Sequence, residues 1–587
     1  MLRRFGMSKQ SRYRLESDET KSYNARRKRK SLPRVRAIKI FACLIVFVLL
    51  IYGGWEARRF FPYPSGLARI GVTNWQTWEF HNYFNLDPSV TSLIIDGTRI
   101  TGLDFAPHHT NDHIYLPVSF VREHIDPFMF WDEGAGSVFV SDENSVTQLF
   151  PSPNMPVIMY QSKPWIEVAW LQIQYPHYLI EHHDRYNVLV IANTKNPIGR
   201  AAEAVDTTTV RYLPAKTAFI TQIIEEGASL DTFYEVGEFI RVRTSDGLLG
   251  YAASENISFT EAPLIVNEPD APARLPAINL AWELITVPAA NANAMGRPLP
   301  ESLTVISPTW FSFNPYTLDG EIISLASREY VNWAHYNNVE VWAHIFDTNP
   351  TISRAILTSY LARERAITQL LDFVVNYNLD GINVNFEYVP SDVGDYYLQF
   401  LRELAPGMRR LGATLSVATF VPAPWRSQYH HHLVGQTVDF VAIMTYDEHV
   451  GASDVPGPVA SLPFVDHFVR ESLELIPREK LLMGLPLYNR VWRVLPDGSH
   501  TASAYGFARP WALVEEWGVT PTWDPVIGSY YANFVSDEAT YSIWIECERS
   551  ISEKLNIFTE HELAGVASWR RSLETEGVWD IIANSLN

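Results

Sequence analysis

The sequence predicts an α/β protein whose C-terminal part, residues 277–587, closes into a (β/α)8 barrel. Two observations carry this. Eight short apolar runs alternate with amphipathic helical stretches along that length, the pattern of repeated strand–helix units. No glycine-rich phosphate loop follows the first run, as a doubly wound open sheet would favour. The expected strands are Ala277–Ala281, Thr304–Ile306, Val339–His344, Gly381–Phe386, Thr414–Thr419, Phe440–Met444, Lys480–Gly484 and Ala564–Ser568. Between the third and fourth, Ile356, Tyr360, Ile367, Leu371 and Val374 recur at helical spacing, so Ile356–Tyr377 is expected as one helix. The charged run Arg363, Glu364 and Arg365 falls between those apolar positions.

Composition supports folded units and narrows the partners. The 587 residues exceed one ordinary domain, and 47% hydrophobic content supplies real cores. Net charge is −19, yet residues 1–36 hold 13 Lys and Arg against three acidic residues. The remainder is strongly acidic and repels phosphate backbones, which argues against nucleic acid as a partner. Two distant cysteines, Cys43 and Cys547, make neither a disulfide framework nor a cysteine-rich metal site.

The basic tail, 1–36, precedes an uncharged apolar run, Ile40–Gly54, within residues 37–55. That stretch approaches the roughly 20 residues a spanning helix needs. With the positive flank inside, it predicts a single-pass membrane anchor, a cytoplasmic N-terminus and an extracellular, wall-facing body. Residues 56–90 are expected as a stalk. Beyond them Ile114–Val140 and Pro164–Val190 form an internal repeat: Val118 aligns with Val168, Phe120 with Trp170, Phe128 with Tyr178, and Val138 and Val140 with Val188 and Val190. Each copy reads as a short helix and two strands joined by a polar turn. Residues 91–195 thereby resemble the α+β repeat domain found at the N-terminus of copper amine oxidases, a likeness that implies no copper. Residues 203–258 hold TTTVRYLP, EFIRV and DGLLGY and resemble an all-β SH3-like module, in which Gly250 suits a close strand approach. A Pro- and Glu-rich linker, 259–276, leads to the barrel.

The chemistry-bearing segment is Leu379–Tyr388, LDGINVNFEY. As a strand it sends Ile382, Val384 and Phe386 toward the helices and turns Asn383, Asn385 and Glu387 inward. A hydrophilic inward row ending in a carboxylate is costly for stability, and its end lies at the face where such barrels keep their catalytic groups.

This segment resembles the fourth-strand signature of glycoside hydrolase family 18, the chitinase-like barrels, Asp-x-x-Asp-x-Asp-x-Glu. Asp380 and Glu387 match, and Asn383 and Asn385 stand where Asp is usual. The wording is closest to the branch of spore-cortex and cell-wall N-acetylglucosaminidases. Further segments agree: ISPTWF with Trp310, AIMTYDEH with Met444, Tyr446 and Asp447, GLPLYNRVW with Tyr488, and GVASWRRS with Trp569. The resemblance implies substrate-assisted retaining hydrolysis of an N-acetylglucosamine-containing polymer, peptidoglycan or chitin-like, without metal or other cofactor. Glu387 would be the acid, Asn385 and Tyr446 would act on the acetamido group, and Asp380, Asn383, Met444, Asp447, Trp569, Trp310 and Tyr488 would line the substrate site. His344 and Asp347, ending the third strand, join them as candidate walls of the mouth. Asn385 accepts a hydrogen bond but supplies no charge, so a slow hydrolase or a glycan-binding wall protein is the alternative. His430–His432 and His182–His183 lack metal-ligand spacing, and the first group is expected to be solvated loop.

Overall fold

The computed structural model describes residues 87 and 89–586, apart from 96–97, 154, 185–186, 194–199, 212, 217, 219, 246–248 and 261–276. It divides into two compact units: the described residues up to Gly102 with His177–Leu264, and Leu103–Pro176 with Ile265–Asn587. That division falls inside the stretch 91–195. The membrane placement is corrected: among the described residues no helix is long and apolar enough to cross a membrane. The expected anchor at 37–55 and the stalk up to residue 86 lie outside the described residues.

The first unit contains two sheets. A four-stranded sheet runs in the order Tyr178–His183, Val188–Asn193, Ser92–Ile95 and Thr98–Ile100. A seven-stranded sheet covers Arg200–Phe259 and includes Thr208–Arg211, Phe239–Thr244 and Leu249–Ala253, inside or beside the three quoted motifs. Gly250 does mark a close approach, since a Cβ there would stand 2.3 Å from a Val210 methyl.

In the second unit the eight expected strands all form, with boundaries shifted by a few residues at most. They are β1 (Ile278–Glu283), β2 (Val305–Pro308), β3 (Glu340–Asp347), β4 (Gly381–Phe386), β5 (Thr414–Phe420), β6 (Phe440–Met444), β7 (Leu481–Pro486) and β8 (Gly565–Trp569). All pair in parallel with their neighbours in sequence, β8 returns to β1, and the ring is closed. Leu280, Trp282, Val305, Trp342, Ala418, Ala442, Leu482 and Ala567 fill the lumen. Two indoles from β1 and β3 thus meet alanines from β5, β6 and β8, the large-against-small packing that fills a barrel without voids. Between β7 and β8 the sequence analysis missed an antiparallel five-stranded sheet within residues 489–545, packed around Val491, Val514 and Ile543.

The expected helix Ile356–Tyr377 is two helices. Pro350–Leu357 ends first, and α1 (Tyr360–Tyr377) starts afresh on Ser359, whose hydroxyl accepts the Ala362 N–H. A capping serine outcompetes continuous periodicity because it satisfies an otherwise orphaned donor. After β4 comes α2 (Gly394–Arg410). Residues 103–176 do not stand apart from the barrel; they pack on α1 and α2. Arg363 is fully buried there, within 2.5 Å of Asp132 and 3.0 Å of Glu403. Arg402 donates to the Ser141 hydroxyl at 2.9 Å and lies 3.7 Å over the Phe128 ring. Phe130 meets Tyr396 edge-on at 5.1 Å, and Phe139 meets Tyr360 at 5.6 Å.

Candidate active site

The alternation of β4 places its polar row as periodicity requires. Asn383, fully buried, accepts from the Trp282 indole N–H at 3.0 Å and donates to the Ser416 hydroxyl at 2.9 Å. It braces the lumen rather than facing a substrate, which corrects its expected role. Asn385, one layer higher, donates its amide N–H to Glu387 Oε1 at 3.1 Å. Its own Oδ1 is buried with no donor among the described residues. Such an acceptor costs free energy unless something else supplies a donor.

Glu387 stands one residue beyond the end of β4 and is half-buried. Its backbone is held on both sides: its N–H donates to the Asp347 carbonyl at 2.9 Å, and its carbonyl accepts from the Tyr429 hydroxyl. Burial raises its carboxyl above the ordinary value, the Asn385 amide pulls it part of the way back, and the Asp447 charge raises it again. The group therefore keeps its proton to higher pH than a solvated glutamate does.

Tyr446 and Asp447 follow the end of β6, and the sequence makes room for them. A Cβ at Gly484 would come within 3.0 Å of the Tyr446 ring. Tyr446 is buried and keeps its phenolic proton, raised by burial and by the charges of Asp447 and Glu387. Asp447 adopts a left-handed backbone, φ +59°. It accepts from the Tyr488 hydroxyl, and Arg490 reaches it at 2.9 Å. Met444 closes β6, 8% exposed. Trp569 ends β8 half-buried, its ring 5.9 Å from that of Trp282.

Three other expected substrate contacts are corrected. Asp380 precedes β4 at its foot, where it accepts from the Val341 N–H and meets His335 Nε2 at 2.7 Å. A six-residue strand separates it from the acid, about 20 Å of extended chain. Trp310 is buried, donates its indole N–H to Asn291 at 2.8 Å and packs on Tyr330. His344 is 1% exposed in the lumen, and burial pushes its imidazole down to about 3, so it is neutral. The histidine loop is corrected as well. His430 lies 3.1 Å from Asp395, and His431 is buried against the Phe420 carbonyl. Sequence reasoning missed Tyr429, which no local pattern marks, and it named Asp347 only as a wall of the mouth, whereas the Asp347 backbone holds the acid. It also missed Arg490, which lay inside a quoted motif.

The closed parallel barrel thus carries at its C-terminal rim a carboxyl that burial raises above its ordinary value, beside buried tyrosines and a half-buried tryptophan. Residues 328–574 match the model of glycosyl hydrolases family 18, and the chain carries a domain of that family. Over 280 residues it is 25% identical to the uncharacterized glycosylase YvbX of Bacillus subtilis, covering 45% of this chain and 80% of that one. Over 245 residues it is 26% identical to the cortical fragment-lytic enzyme of Bacillus anthracis, covering 40% of this chain and 56% of that protein. The chain thus spans little more than half the length of that enzyme. The crystal structure of the Bacillus cereus spore cortex-lytic enzyme SleL aligns over 54% of this chain and 75% of its own, at 21% identity and a TM-score of 0.49.

Proposed function

We propose that the protein hydrolyses a polymer containing N-acetylglucosamine, peptidoglycan or a chitin-like glycan, with retention and with the substrate's own acetamido group as nucleophile. Glu387 donates its proton to the glycosidic oxygen as the bond to C1 breaks. The acetamido carbonyl oxygen closes on C1, forming an oxazolinium ring. Water then opens the ring at C1 and returns a proton to the Glu387 carboxylate. The Asn385 Oδ1 accepts the acetamide N–H, and Tyr446 donates its hydroxyl to the acetamide oxygen. Asp447 holds the sugar, and Trp569 offers a flat apolar face to the pyranose. Met444 and Tyr488 complete the walls.

The observation that carries this reading is the pairing of a proton-retaining Glu387 with a buried, undonated oxygen on the neighbouring Asn385. Asn385 also favours the second reading, a weak hydrolase or glycan-binding wall protein, because it brings no negative charge to the oxazolinium. Residues 91–195 and 203–258 are then a repeat domain and an SH3-like module joined to the glycan-acting barrel. Release of reducing ends from N-acetylglucosamine oligomers and from peptidoglycan decides between the readings. Products from the protein and none from Glu387→Gln support the hydrolase. Binding without products from either supports the glycan-binding protein.

A further inference from the structure

The packing of residues 103–176 on the barrel does more than bury surface, because one of its ion pairs leads by direct contacts to the backbone of Glu387. Arg122, on the helix Val118–His124, places its two guanidinium nitrogens 2.8 and 2.5 Å from the two carboxylate oxygens of Asp395. This planar two-point geometry is one that lysine cannot copy. Asp395 is in the first turn of α2, and its carboxylate also lies 3.1 Å from His430 Nε2. Burial opposes its charge, but hydrogen bonds from His430 and Arg122 outweigh that and hold the carboxyl below the usual range.

His430 has a left-handed backbone, φ +45°, and ends the short turn Pro424–Tyr429. For a residue with a Cβ that conformation is strained, and it persists where surroundings hold it. The preceding residue, Tyr429, is 4% exposed and donates its hydroxyl to the Glu387 carbonyl. Its ring meets Tyr397 of α2 and Phe420 of β5, each at 6.0 Å. Gly394, at the start of α2, lies against the same turn: a Cβ there would be 2.5 Å from the Gln428 carbonyl oxygen. The turn is therefore clamped between α2 and the rim, with the Asp395 contacts on one side and the carbonyl of the acid on the other.

We propose that Arg122 of the segment 103–176 is a positioning residue for the barrel's acid. It acts through Asp395, His430 and Tyr429, so that the docked segment 103–176 sets where the Glu387 carboxyl stands. The proposal rests on the reading of Glu387 as the acid. Glu387 itself faces Asn385 and Asp447, with Tyr446 and Tyr429 nearby. Arg122 instead meets Asp395 and the Phe130 ring, so any change reaches the acid through the turn. A misplacement of 1 Å far from the chemistry can cost about 100-fold in rate, and loosening one anchor of the turn costs less.

The test uses the full chain and its Arg122→Met, Arg122→Lys and Tyr429→Phe variants, with Arg470→Ala as a remote surface control. Turnover is followed on N-acetylglucosamine oligomers across pH, and hydrogen exchange on the peptide covering 421–432. Arg122→Met should lower kcat on the order of tenfold with KM nearly unchanged, and shift the alkaline limb of the profile. Arg122→Lys should recover part of the loss, Tyr429→Phe should reproduce it, and all three should speed exchange in the turn. Wild-type turnover, pH profile and exchange in Arg122→Met would leave that ion pair a plain docking contact and overturn the proposal. If Arg122→Met does not fold, Arg122→Lys and Tyr429→Phe carry the same test and can fail in the same way. If the unaltered protein gives no turnover, the reading of Glu387 falls separately. The exchange data then decide the coupling alone, and unchanged exchange in the turn sinks it.

Discussion

Arg363 and Glu387 are both ionisable side chains drawn from water within one folded unit, and the surroundings treat them oppositely. Arg363 is met by Asp132, by Glu403 and by the Leu357 carbonyl, so each nitrogen of its guanidinium has an acceptor. Glu387 is met by one amide, from Asn385, and lies within reach of the like charge of Asp447. A buried charge with all its partners holds structure together, and its environment favours the charged form. A half-buried carboxyl left short of partners holds its proton and is ready to give it up. The seam and the mouth use the same kinds of side chain, and the completeness of their pairing separates their roles.

The largest expected effect lies at the mouth. Glu387→Gln should remove turnover by about 100- to 10,000-fold while leaving the unfolding midpoint at or above that of the parent, measured by product release and thermal denaturation. The seam should behave in reverse. Arg363→Met strands two carboxylates and should destabilise the unit by about 3–5 kcal/mol, read from denaturant unfolding by tryptophan fluorescence. Asn385→Asp tests the incompleteness directly. The added charge should raise turnover by about 10- to 100-fold. It should also push the Glu387 carboxyl higher, moving the alkaline limb of the pH profile to higher pH.

Stability against pH should separate Asp395 from Glu387 by sign. The Asp395 carboxyl is held below its unfolded value, so its contribution is complete above the ordinary carboxylate range and is lost as pH falls through its folded value. The Glu387 carboxyl is raised, so its contribution is present at low pH and fades as pH climbs through the raised value. Asp395→Asn should flatten the acid limb of the stability curve, and Glu387→Gln the limb above it. The smallest effect belongs to the exposed pair Arg354–Asp392, 2.6 Å apart. Arg354→Ala should leave the midpoint unchanged, because solvent screens such a pair.

Legibility in the sequence followed the range of the interaction. The eight strands and the inward row of β4 rest on periods of two and on alternation with helices, which neighbouring residues enforce. Asp380 belonged to the same quoted motif as Glu387, yet strand rise alone sends the two to opposite ends of the barrel. Trp310 and His344 carry residue types that suit a sugar-binding wall, and only packing turns them into core. Arg363 read as one of a charged run between the apolar positions of a helix. Its buried partner Asp132 lies 231 residues away, beyond the reach of any local pattern.

The order of residues by itself determined which side chains share a strand face and where an acid sits relative to the end of its strand. Those are consequences of backbone geometry over a few residues. The closed ring, the docking of 103–176 on α1 and α2, and the hold of Tyr429 on Glu387 were decided only in three dimensions. Each joins segments far apart in the chain, and such contacts form only when the whole unit has closed around them.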